Sequence, residues 1–180
     1  FTETSLEKKE PEGTLGNLVA DIMLTKAREK YNINVDAAVM NAGGIRLPVI
    51  AAGEITRGKI FELSQFDNIV VLLKLTGKQL QSVLDHAATK GGWPVAGLTM
   101  QIKNRQAKSV KINKAPIDTN AIYTLAVLDY VANGGDDAAM LRAIPQMNNG
   151  FLFRDAILEY LTEQKKINID KIENRVTNAE

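Results

Sequence analysis

Apolar residues recur at helical spacing through "TLGNLVADIMLTKAREK". Leu15, Leu18, Val19, Ile22, Met23 and Ala27 share one face, and Thr14 is placed to cap the helix. "VDAAVM" (35–40) is a short apolar run suited to a buried strand. Thr56, in "GEIT", is placed to cap a short helix through Leu63. "IVVLLKL" (69–75) is β-branched and almost wholly apolar, the pattern of a central strand covered on both faces. Thr76 and Gly77 then open a helix with Leu80, Val83, Leu84 and Ala87 on one side. "GLTMQIK", "KSVKIN" and "IYTLAVL" read as three further strands separated by turn residues. "RDAILEYLTEQ" is an amphipathic helix, and "IENRVTNAE" returns as a final edge strand. Helices and strands mix without strict strand–helix alternation, so the expected class is α+β, a single domain of mixed β-sheet packed with helices.

Composition narrows the chemistry. A chain of 180 residues with 45% hydrophobic and 24% charged residues suits one soluble globular domain. Its net charge of +1 supplies no bulk field for nucleic acid or an anionic membrane surface, and no apolar run approaches a membrane span. There is no cysteine, and the only histidine is His86, within a helical pattern. Sites that activate water on transition metals draw on several His and carboxylate ligands, so no catalytic metal site is expected in this chain, although an all-oxygen magnesium site stays open. His86 reads as a helix-surface or packing residue. The sequence opens on Phe1 rather than Met, so an upstream segment removed by processing or design is expected, and the absence of a secretion signal carries no information.

Three loops follow or precede strong apolar elements and carry candidate chemistry. In "NAGGIR" (41–46), Gly43 and Gly44 permit positive φ and close backbone approach. Arg46 brings a fork of donors for phosphate or carboxylate, or else a structural ion pair. In "QFDN" (65–68), Phe66 is either a base-stacking plate or a core anchor. In "YVANGGDD" (130–137), Asp136 and Asp137 follow a glycine bend, where a carboxylate grips a metal, binds a sugar or caps "AAML". Periodicity does not say whether these loops meet.

The order and spacing of "LGNLVADIM", "NAGGIR", "GEITRGKIFEL", "QFDNIVVLLKLTGKQL" and "YTLAVLDYVANGGDD" resemble the C-terminal, substrate-binding domain of the 5'-nucleotidases and related UDP-sugar hydrolases and cyclic phosphodiesterases. The resemblance spans nearly the whole chain. It implies that Arg46 contacts a substrate phosphate, with Asn41 heading the same motif. It implies that Phe66 and Tyr130 sandwich the base, Tyr130 standing where a Phe is usual, and that Asn68 also binds substrate. Asp136 then holds the ribose hydroxyls, while Asp137, in place of a usual Gly, is only a cap. Gln65 and Asp67 replace a proline and a glycine around the first aromatic. Lys8 and Lys9 stand where relatives commonly carry an arginine before the "LGNL" helix.

In that family an N-terminal domain carries the two-metal phosphohydrolase site, and no such domain is present in this sequence. The resemblance therefore implies a nucleotide- or nucleoside-binding half with no cofactor of its own and no catalytic residue. Divalent metals and catalysis are expected in a separate metallophosphatase domain or subunit, in a periplasmic or exported protein. The alternative is a non-catalytic nucleoside- or protein-binding module.

Overall fold

In the computed structural model, which describes residues 1–179, Val70, Val71, Leu72, Leu73 and Leu75 of the apolar run are fully buried. The elements in chain order are β1 (Leu6–Glu7), α1 (Thr14–Tyr31), β2 (Ala37–Val39), β3 (Val49–Ile50), α2 (Arg57–Leu63), β4 (Val70–Thr76), α3 (Gly77–Thr89) and β5 (Val95–Ala96). Then come β6 (Leu98–Lys103), β7 (Gln106–Ile112), β8 (Ala115–Pro116), β9 (Ile122–Leu128), α4 (Asp129–Ala132), β10 (Gln146–Met147), α5 (Phe153–Gln164) and β11 (Val176–Asn178). Short 3₁₀ turns occupy Ala42–Gly44, Gly135–Asp137 and Ala139–Leu141.

β4 pairs antiparallel with β9 along its whole length, from Val70 opposite Leu128 to Thr76 opposite Ile122. β2 lies parallel to β9 on its other side, and the five-stranded sheet runs β10-β4-β9-β2-β5. Successive side chains of a strand point to opposite faces. Val70 and Leu72 accordingly join one core with α1, α2 and α5, while Val71, Leu73 and Leu75 join another with α3, β6 and β7. Burial on both faces is why β4 reads as a nearly unbroken apolar run. A second sheet, β11-β6-β7-β8, packs beyond α3, and β1 with β3 forms a small antiparallel pair. Mixed sheets packed with helices are what the α+β pattern anticipates.

Two helix starts match their expected caps. The Thr56 hydroxyl accepts from the Lys59 amide, and Thr76 forms a capping box with Gln79 at the head of α3. The third expected cap is corrected. Gly13, not Thr14, holds the N-cap position of α1, and the Thr14 hydroxyl instead accepts from the Glu7 amide at 2.9 Å, tying β1 to the helix. β11 pairs in parallel with β6 at the edge of the second sheet; Glu180, the last residue of its expected span, lies outside the described residues. A bidentate ion pair of Arg175 with Asp21, both contacts at 2.7 Å, fastens this strand to α1.

Strand direction decides where the three loops go. β2 and β9 run parallel and β4 runs against them, so the C-terminal ends of β2 and β9 meet the N-terminal end of β4. Loop 41–46 leaves β2, loop 65–69 enters β4, and α4 with the following turn leaves β9. All of them emerge at one end of the central sheet.

Candidate functional site

At that end lies a cavity of about 300 Å³ lined by Asn41, Gly43, Gly44, Arg46, Phe66, Asn68, Tyr130 and Asp136. The side chains that the family resemblance names as substrate ligands therefore border one space, of a size found for small-molecule sites, whereas Asp137 does not line it. Phe66 and Tyr130 are 54% and 50% exposed, which removes the core-anchor reading of Phe66.

The Asn41–Arg46 turn is set by close packing. Of the two freedoms these glycines permit, positive φ is used by neither. What Gly44 supplies is space, since a Cβ there would collide with the Met40 methyl and lie 3.0 Å from Asn41 Oδ1. The Lys8 ammonium donates to the carbonyls of Ala42 and Ile45, at 2.8 and 2.9 Å, and so clamps the turn from outside. Lys8 thus supports the loop and does not line the cavity. The Arg46 side chain makes no ion pair among the described residues. Its guanidinium carbon sits 5.8 Å from the centre of the Phe66 ring, at the outer limit of a cation–π contact, leaving its donors available to a ligand.

Phe66 stands on a loop held by a residue that periodicity does not single out. Arg154, on α5, donates to the Ser64 carbonyl at 3.1 Å and to that of Gln65 at 3.4 Å, and pairs with Asp67. Its guanidinium lies 4.4 Å over the Phe61 ring. Asp67 is thereby tied to α5. Asp129, the first residue of α4, accepts from the amides of Ile69 and Tyr130 at 3.0 and 2.9 Å and so joins the second and third loops.

The Asp136 turn is the most constrained part. Asp136 has φ 52° and ψ 36°, and Asp137 has φ 63°, so two adjacent non-glycine residues occupy the left-handed region. The Asp136 carboxylate accepts from Asn41 Nδ2 at 2.5 Å, while Asn41 itself is 2% exposed and its Oδ1 has no partner. The Asp136 amide donates to the Tyr130 hydroxyl at 3.3 Å. A Cβ on Gly135 would come within 2.5 Å of the Tyr130 ring, so only glycine lets that ring lie against the turn. Asp137 points away from the cavity and pairs with Lys90 at 2.7 Å. That hydrogen bond raises the Lys90 ammonium and lowers the Asp137 carboxyl from their usual ranges. The expected capping role of Asp137 is thereby corrected: the 3₁₀ turn at Ala139–Leu141 has no side-chain cap, and Asp137 is an ion-pair partner. His86 packs edge-on against the buried Trp93, ring centres 5.4 Å apart, as a packing histidine should. Its Nε2 also bonds the Asp136 carbonyl at 2.7 Å.

Among the described residues no group of His, Cys, Asp and Glu is gathered as metal ligands, and no helix is long and apolar enough to cross a membrane. The arrangement offers aromatic faces, a guanidinium and an oriented carboxylate around one space.

A 5'-nucleotidase from Vibrio vulnificus is 31% identical over 163 residues, covering 87% of this chain and 28% of its own length. Protein UshA of Escherichia coli K12 is 29% identical over 156 residues, again over 28% of its own length. The chain thus spans little more than a quarter of these curated relatives. The crystal structure of a 5'-nucleotidase precursor from Thermus thermophilus superposes with a TM-score of 0.88 at 28% identity, over 98% of this chain and 38% of that one. The model of the 5'-nucleotidase C-terminal domain matches residues 2–143, and the chain belongs to that family.

Proposed function

We propose that this chain is the substrate-binding part of a 5'-nucleotidase-type phosphohydrolase. Its cavity takes a nucleotide with the base between Phe66 and Tyr130, the phosphate at Arg46 with Asn41, and the ribose hydroxyls on Asp136. Asn68 completes the wall of the cavity. The observation that carries this reading is the convergence of these groups on one cavity from three separate loops. Each suits its part of the ligand: exposed rings stack a base, a planar guanidinium matches phosphate, and a carboxylate accepts from a vicinal diol. Chemistry on the phosphate belongs to a metallophosphatase domain, in the same protein or a separate chain, where the divalent metals reside. With that assignment goes an exported or periplasmic location.

Chemical-shift mapping by NMR tests the reading. Adding AMP should perturb amides at 41–46, 66–68 and 130–137, and adenosine should spare the Arg46 region. Ribose 5-phosphate should perturb the Arg46 and Asp136 turns and leave Phe66 unmoved. An AMP response confined to the second sheet, or no response at millimolar ligand, contradicts the nucleotide assignment and leaves a protein-binding module as the better reading.

A further inference from the structure

We propose that His86, which does not line the cavity, is a positioning residue that aims the Asp136 carboxylate and thereby sets recognition of a ligand's vicinal diol. The specificity part rests on the nucleotide reading above. Two successive left-handed residues, Asp136 and Asp137, do not hold that conformation unaided, because their side chains disfavour it and neither is glycine. Both are held from behind the cavity by the C-terminal end of α3 and the residue that caps it. His86 bonds the Asp136 carbonyl at 2.7 Å, and Lys90, four residues on, pairs with Asp137 at 2.7 Å. A carbonyl only accepts, so Nε2 of His86 carries the proton and donates. The ring that makes this bond is itself fixed, lying at 88° to the ring of Trp93, which is 2% exposed. The helix that carries it is locked at its start by the Thr76–Gln79 capping box. The Asp136 main chain is therefore fixed by α3 while Asn41 fixes the side chain at 2.5 Å, and together they leave the carboxylate one orientation. A diol needs that orientation, because its hydroxyls must reach the carboxylate together.

A histidine that only packed on Trp93 would be replaceable by any ring, whereas a positioning histidine is replaceable by any donor in the same place. His86→Phe keeps the ring and removes the donor; His86→Gln keeps a donor near the Nε2 position and removes the ring. The readouts are NMR titration with adenosine and with 2',3'-dideoxyadenosine, and amide hydrogen exchange over 133–138, with thermal unfolding as the control for general loss of fold. The wild type should prefer adenosine. His86→Phe should lose about three- to tenfold of that preference, the range for one lost hydrogen bond, and should exchange faster over 133–138. His86→Gln should stay within about twofold of the wild type on both measures, where the margin is well below one hydrogen bond. Lys90→Met, which frees Asp137 without touching the Trp93 contact, should also speed exchange at 136–138. Equal impairment of the Phe and Gln variants overturns the proposal, and impairment of the Gln variant alone assigns His86 to packing on Trp93. A Phe variant with wild-type preference and exchange also overturns it, as does a Lys90→Met variant with unchanged exchange. A wild type indifferent to the diol removes the ribose assignment and the specificity claim with it, and the exchange of the two His86 variants then decides the positioning role alone.

Discussion

At the level of single residues the cavity separates contributions that differ in size. Arg46 is exposed, so in the proposed site it would meet a phosphate in high dielectric, where an ion pair contributes about 0–1 kcal/mol. Each ring stacked on a base contributes more, on the order of 1–3 kcal/mol. Arg46→Ala should therefore mainly erase the preference for AMP over adenosine, a comparison that calorimetric or NMR titration makes directly. Gly135→Ala addresses the second ring without touching it. The new methyl would collide with the exposed Tyr130 ring, which can swing away, so the melting temperature should hardly change. AMP binding should nevertheless weaken by at least about fivefold, the factor equivalent to about 1 kcal/mol of lost stacking. Unchanged affinity in that variant removes Tyr130 from the site. The ligand-type residues were readable in the sequence because an arginine, an aromatic and an aspartate in polar loops stand out from their neighbours. Their supports were not. Lys8, His86, Asp129 and Arg154 act on backbone groups distant in sequence, and no local spacing encodes that.

Among the elements, α5 and α3 brace the loops they face. Arg154 anchors the Phe66 loop from α5, so Arg154→Ala should free residues 64–67 and weaken binding of adenosine as much as of AMP, since the phosphate contact is untouched. Arg154→Lys should not rescue it, because an ammonium cannot bridge two carbonyls and Asp67 while lying flat over Phe61. A parallel titration of both variants checks this, and binding that survives intact contradicts the bracing role. The long elements were legible because periodicity is their cause: β4, β9, α1, α3 and α5 each bury a stripe or a face. β1, β3, β5, β8 and β10 span two residues each, too few to show any period, and exist only because a partner strand is present. Thr14 shows the same limit. A threonine before an apolar stripe satisfies the capping pattern, yet the approach of β1 gives its hydroxyl another donor.

Across the whole molecule, distant segments are joined by charged groups as well as by apolar cores. Lys26 of α1 is fully buried at its side chain and meets Glu29 and Glu163, while Glu159 pairs with Lys30. Burial alone would lower the Lys26 ammonium, but hydrogen bonds to Glu163 and Glu29 and the nearby carboxylates outweigh it and raise it above its usual range. The hydrogen bond to Lys30 holds the Glu159 carboxyl below its usual range, against a smaller opposing effect of burial. A lowered carboxyl adds stability above its unfolded value and loses it as pH falls through the folded one. A raised ammonium adds stability below its unfolded value and loses it as pH rises through the folded one. Melting temperature should thus decline below about pH 4 and again above about pH 10, with Glu159→Gln flattening the acid side. An acid limb identical in that variant contradicts the assignment. With a single histidine and no cysteine, the domain should not hydrolyse AMP alone with added Mg, Mn, Zn or Co. Turnover surviving in Asp136→Ala and His86→Ala after rigorous purification contradicts this. The most direct test of the nucleotide site is calorimetric titration of AMP into the wild type and the Phe66→Ala/Tyr130→Ala double variant. The wild type should bind with a Kd of roughly 0.1–1 mM, about −4 to −5.5 kcal/mol, and the double variant should show no binding. Equal affinity in the two proteins contradicts the base clamp and the nucleotide reading with it.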